Sequence, residues 1–124
     1  MLFDVAMRKA RKAIEQTYDR KCTVFEYKSV KDDDNITRKK EVAVLTDIPC
    51  RISYKSITNT NVSNGVAQQS IVTKLFISPD VEIKSGSKIV VTKGDLVETY
   101  QRSGMPARYD THQEIMLANF ERWA

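Results

Sequence analysis

The 124-residue chain is poor in the residues that usually carry chemistry or covalent restraint. It has one histidine, His112. Any Ser-His-Asp or Cys-His arrangement would have to use it, yet it sits in a polar turn with Gln113 and Glu114, far from anything like a nucleophile elbow. His112 therefore reads as structural. The two cysteines, Cys22 and Cys50, are too few and too far apart in the chain for a disulfide framework, which points to a reduced, cytosolic setting. With a single histidine they also fall short of the four ligands a zinc site needs. The four glycines include Gly86 and Gly94 as isolated turn residues, and neither GxGxxG nor GxxxxGK[ST] occurs. No apolar run approaches the ~18 residues a membrane span requires. Apolar Met1-Leu2-Phe3 precedes the basic Arg8, Lys9, Arg11 and Lys12, the reverse of secretory order, so no signal peptide is expected. These absences lead to the expectation of a non-enzyme without cofactor or metal.

What is present is an ordinary globular composition. At 41% hydrophobic and 29% charged residues the chain is suited to folding, and its length fits one domain, 1–124, with a real core. The net charge of +4 is unevenly placed. Residues 1–40 hold 11 of the 20 basic and 7 of the 16 acidic side chains; the remaining 84 residues are neutral overall, with nine of each. An electrostatic partner would meet the amino end.

One helix is expected, within 1–20. Phe3, Met7, Ala10, Ile14 and Tyr18 recur at spacings of three and four and share one face. Arg8, Arg11, Lys12 and Glu15 lie on another, with Lys9 beside it. From residue 21 onward the pattern is that of strands. Cys22–Lys28 alternates, Lys31-Asp32-Asp33-Asp34-Asn35 is a turn, and Thr37–Leu45 is a second strand. The acidic run lacks the glycine and glutamate an EF-hand would place at its sixth and twelfth positions, where Thr37 and Ala43 stand. Ile48–Ser56 alternates cleanly, with Ile48, Cys50, Ile52 and Tyr54 directed inward; Pro49 near its start suggests an edge or a strand beginning. Ile71–Ser78 is apolar on both faces, as a central strand would be. Ser85-Gly86-Ser87 and Lys93-Gly94-Asp95 are turns flanking the β-branched Ile89-Val90-Val91, and Ser103-Gly104-Met105-Pro106 breaks the chain again. His112–Trp123 fits strand or helix by pattern alone. The expected fold is mainly β: a small closed or partly open barrel of six to eight short antiparallel strands with one amino-terminal helix, closed to remove exposed edges.

Three surfaces carry alternatives. The basic helix face (Arg8, Lys9, Arg11, Lys12) reads either as a solvated face or as a contact for phosphates or an acidic protein ring. Phe25 and Tyr27 share one strand face; they read as core, or as stacking residues for single-stranded nucleic acid. Ile57–Ser70 carries no charge and little apolar content, and reads as a long loop. Such loops are either functional or plain surface. That neutral polar composition leaves a functional loop and a plain surface loop both open.

The block Gly86–Asp95, the Tyr100–Tyr109 segment YQRSGMPARY, the Thr111–Ile115 segment THQEI and the upstream Ile48-Pro49-Cys50-Arg51-Ile52-Ser53 resemble the head-completion (head-closure, or stopper) proteins of tailed bacteriophages. The likeness runs from about Lys21 to the end and more loosely over the helix. It implies a structural head-tail connector that joins a ring beneath the portal or its adaptor, closes the DNA exit after packaging and offers a platform for the tail or tail terminator. The setting would be the host cytoplasm during assembly and then the virion neck, with self-association into a ring, non-specific contact with packaged DNA and no membrane. In that frame 57–70 is the candidate channel loop, with Asn59, Asn61, Asn64, Gly65, Gln68 and Gln69, and Arg8, Lys9, Arg11 and Lys12 are the candidate contact to the ring above. The alternatives are a small OB- or SH3-like barrel that binds nucleic acid directly, and another ring-forming neck protein such as a tail terminator.

Overall fold

Alternation of inward and outward side chains, set by the two-residue repeat of a strand, organises most of the molecule. A computed structural model describes residues 2–59 and 68–123. Helix α1 (Leu2–Glu15) is followed by strands β1 (Arg20–Lys31), β2 (Thr37–Asn59), β3 (Gln68–Ile77), β4 (Lys88–Lys93), β5 (Leu96–Arg108) and β6 (Gln113–Asn119). All neighbours are antiparallel, and the order β1-β2-β3-β6-β5-β4 closes on itself as a barrel. The expected class is thus observed: one helix, then a six-stranded barrel.

The core is made almost entirely of i, i+2 pairs. Cys22 and Val24 come from β1, Cys50 and Ile52 from β2, Leu75 and Ile77 from β3, Ile89 and Val91 from β4, and Ile115 and Leu117 from β6. Tyr100 of β5 and Ile83 of the β3–β4 connection complete it. Most are aliphatic and β-branched, the shapes that fill a narrow barrel without unpaired polar atoms. Both cysteines lie here as buried free thiols. The Cys22 thiol is pushed up by its hydrogen bond with Cys50 and by burial, which suits packing rather than reactivity.

Several expectations are corrected. The two strands 37–45 and 48–56 are one strand of 23 residues. Pro49 lies within it, just past a bulge at Asp47, whose φ of 53° re-aims the chain. Ser103-Gly104-Met105-Pro106 does not break the chain either: β5 runs through it as a bulge against β6, with Gly104 at φ 66°. Phe25 and Tyr27 are not core. Inward positions of β1 fall to Cys22 and Val24, so the aromatics stand on the outer face. Tyr54 keeps the inward parity of Cys50 and Ile52 but lies beyond the rim. The ambiguous segment resolves as strand through Asn119, because Ile115 and Leu117 pair with Leu75 and Thr73.

Segment 57–70 is not simply a loop. Ladder pairing continues through Ile57↔Ser70, Thr58↔Gln69 and Asn59↔Gln68, so β2 and β3 form a long hairpin. Its uncharged β-branched residues, including Ile57, Thr58 and Ile71, favour extension over coil. Residues 60–67 lie outside the described residues.

One barrel end is covered by the β3–β4 connection, residues 78–87. Ile83 fills the opening, and fully buried Gln113 donates from Nε2 to the carbonyls of Ser78, at 2.8 Å, and Val81. Arg102 donates to the Ile83 carbonyl at 2.7 Å. Gln113→Ala would leave the Val81 carbonyl unpaired in a closed space, while that of Ser78 keeps the Val81 amide at 3.2 Å, and should cost about 1–3 kcal/mol. Urea denaturation measures this; a loss below about 0.5 kcal/mol would show that the covering segment holds itself in place.

Candidate functional site

The core pairs fill the barrel interior, and the surface features are the parts that project from it. Pairing of β1 with β4 ends at Phe25↔Lys88 and pairing of β3 with β6 ends at Thr73↔Leu117. Beyond those points β1 and β2 continue as one two-stranded arm (26–42), and β2 and β3 as another (55–59 paired with 68–72). The arms leave by opposite ends of β2. The first carries five acidic and five basic side chains; the second carries one charge, Lys55.

The neutral arm is anchored at the barrel mouth by a polar cluster. Arg20 Nη1 donates to Glu98 Oε1 at 2.5 Å, Tyr54 OH donates to Glu98 Oε2 at 2.8 Å, and Tyr100 OH donates to the same oxygen. These groups come from β1, β2 and β5, all with inward parity, so they close the mouth above the apolar core. Hydrogen bonds from Tyr100, Tyr54 and Arg20 hold the Glu98 carboxyl below its ordinary 4.5 against the opposing effect of burial. Burial and the bond to Glu98 raise the Tyr100 hydroxyl. Beyond the cluster the arm exposes Ile57 and Ile71, with Leu96 and Val97 exposed at the β4–β5 turn.

Of the candidate channel residues, Asn59, Gln68 and Gln69 belong to the ladder of this arm, with Asn59 opposite Gln68. Asn61, Asn64 and Gly65 lie outside the described residues. The arrangement brings the strand positions together across one hairpin.

Helix α1 touches the barrel chiefly through its last turns. Ala13, Ile14 and Thr17 border a groove of about 340 Å³ with Arg51, Phe76 and His112. Arg11 Nη2 donates to Ser78 Oγ at 3.1 Å and to Asp80 Oδ2 at 2.8 Å, the one ion pair between helix and barrel among the described residues. The four candidate contact residues are thereby divided. Arg8, Lys9 and Lys12 are exposed, while Arg11 faces the barrel as a tether. On the apolar stripe Ala10 is exposed and Met7 half-buried, so the stripe is only partly covered within one chain, and Val5 and Ala6 beside it are exposed as well.

His112 lies in the groove wall. Its ring stacks on Tyr109 at 4.9 Å, and its nitrogens meet Thr111 Oγ1 at 3.0 Å and Glu114 Oε2 at 3.1 Å. Among the described residues no group of three His, Cys, Asp or Glu could hold a metal ion, and no helix is long and apolar enough to cross a membrane. The sequence reading missed a cleft at the root of the charged arm. Tyr27 stacks on Trp123 at 5.2 Å and 12°, and Lys28, Lys39 and Lys84 surround the pair. Only the pairing of Tyr27 with a residue 96 positions later creates it. The one legible signal was that Phe25 and Tyr27 share a strand face.

Because the folded Glu98 value lies below the unfolded one, its contribution is present above pH 4.5 and is lost as pH falls through the folded value. Glu98→Gln should lower stability at pH 7 by about 1–3 kcal/mol and flatten the acid-side loss. Urea midpoints at pH 7 and below 4.5 measure both. Arg11→Ala should speed amide exchange throughout α1 while changing barrel stability by less than about 0.5 kcal/mol, as for an exposed ion pair. Unchanged helix exchange would show that the apolar groove alone holds the helix.

No protein-family model and no curated protein matches the chain. Among solved structures the fold is similar to the phage-like element PBSX protein xkdH from Bacillus subtilis, with a TM-score of 0.51 at 11% identity. The likeness covers 81% of this chain and 92% of that one, and at this identity what the two share is the fold.

Proposed function

We propose that this chain is a structural, non-enzymatic neck component of a tailed phage or prophage, a head-completion protein that closes the DNA exit after packaging and carries the tail platform. The observation behind the reading is the barrel fold shared with a protein of a phage-like element over 92% of that protein. The projecting parts of the molecule fit the role. A filled barrel leaves little room for a substrate, whereas arms and a partly uncovered helix are what a ring subunit offers its neighbours.

In a ring, identical hairpins surround one axis, and small contributions from each copy are multiplied by symmetry. The neutral arm would face that axis, its lack of charge letting DNA pass without adhesion. Arg8, Lys9 and Lys12 would contact the portal or adaptor ring above, and the opposite face the tail or tail terminator. Assembly would take place in the host cytoplasm and end at the virion neck.

A second reading, a barrel that binds nucleic acid directly, draws on the lysine-flanked Tyr27–Trp123 stack. Electron microscopy of particles from a phage or induced prophage lacking this gene separates the two. The neck reading predicts empty heads beside free tails. Full, stable heads with tails attached would overturn it and favour the second.

A further inference from the structure

The charged arm takes no part in the core, and the neck reading offers it to ring neighbours without naming the surface that receives it. At its root is a cleft of about 490 Å³. The Tyr27–Trp123 stack lines it, Lys28 and Lys39 enter from the arm, and Lys84 from the segment covering the barrel end. The one carboxylate within it is Glu26, 3.4 Å from Lys28 and 4.0 Å from Lys84. Three ammonium groups against one carboxylate leave an excess of positive charge, and Lys84 is 70% exposed.

At the far end of the same arm the charge is reversed. Asp32 is occupied: its Oδ1 accepts from the Asp34 and Ile36 amides, and Oδ2 lies 3.7 Å from Arg38. Asp33 and Asp34 have no ion pair among the described residues. Beside them Ile36 is 46% exposed. The tip thus offers two carboxylates and an aliphatic side chain; the root offers lysines around an aromatic surface.

We propose that the two are halves of one contact, the arm tip of one copy seated in the root cleft of the next. The arm cannot satisfy itself. The ladder from Tyr27↔Glu41 to Lys31↔Thr37 is unbroken, and six residues from Tyr27 to Asp33 hold the tip about 20 Å from its own cleft at ~3.3 Å per residue. A contact joining two different patches is heterologous. It closes into a ring where the rotation permits and extends as a filament otherwise. Exposed ion pairs contribute little singly and are screened by salt, so the association is weak between two copies, salt-sensitive, and strengthened by closure. The contact deepens the ring of the neck reading, yet its test uses only the purified chain, so it can fail while that reading stands.

The test is sedimentation of the full chain at low and high salt, with two charge-reversed variants. One carries Asp33→Lys and Asp34→Lys; the other carries Lys39→Glu and Lys84→Glu. Wild type should associate at low salt and dissociate at high salt. Each variant alone should stay monomeric, because tip and cleft then carry the same sign. An equimolar mixture should restore association, each tip meeting the opposite cleft. Circular dichroism melts confirm folding, and the milder Asp33→Asn with Asp34→Asn should weaken association about tenfold. Monomeric wild type at low salt, a reversed variant that associates like wild type, or a mixture that fails to associate would each overturn the proposal. So would binding of a single-stranded oligonucleotide that is lost with the cleft reversal, kept with the tip reversal and accompanied by no self-association, which would assign the cleft to nucleic acid.

Discussion

The narrow bore of the barrel governs the rest of the molecule. Six strands closed on one another leave space for about two inward side chains from each, and the core pairs fill it. A strand that needs only two inward positions can be short, as β4 is with six residues. β2, with 23 residues, has a contour of roughly 75 Å and must overrun the barrel at both ends. Its partners β1 and β3 follow it outward because an unpaired strand would leave its amides unsatisfied. The arms are therefore consequences of one long strand threading a short barrel.

The two barrel ends are closed by different physics. At one, a connecting segment lies across the opening, held by Gln113 and Arg102 donating to its carbonyls and sealed by Ile83. At the other, where the neutral arm begins, Glu98 gathers Arg20, Tyr54 and Tyr100. A carboxylate in that position is tolerated because each oxygen is met by a donor, and a satisfied charge can line a rim where a bare one could not. The same cluster ties the root of the arm to the barrel mouth, since Tyr54 belongs to the strand that becomes the arm.

Charge is segregated along the chain and again in space. Residues 1–25 hold six basic and three acidic side chains, so the positive excess belongs to the helix and its junction with β1. The charged arm is balanced overall but polar along its length, acidic at the tip and basic at the root, whereas the described strands of the neutral arm carry one charge, Lys55. The three projecting parts thus differ in electrostatic character, which is what distinct partners at distinct places would require.

Much of this was legible from local pattern. The period-two alternation of Cys50 and Ile52, the glycine turns at Gly86 and Gly94, and the three- and four-residue spacing along the helix are properties of neighbouring residues, and each appears where expected. Closure into a barrel followed from the need to remove edges. Tertiary structure alone decided the rest. Whether Tyr27 faces core or solvent depends on which face of β1 the closed sheet turns inward, and its stacking on Trp123 depends on where the chain returns after six strands. Whether 57–70 is coil or ladder depends on the extended partner that β3 supplies. Turns, periodicity and net charge are written in adjacent residues; register, arm length and the meeting of Glu98 with its three donors depend on which distant segments pair, and that choice is made only when the whole sheet closes.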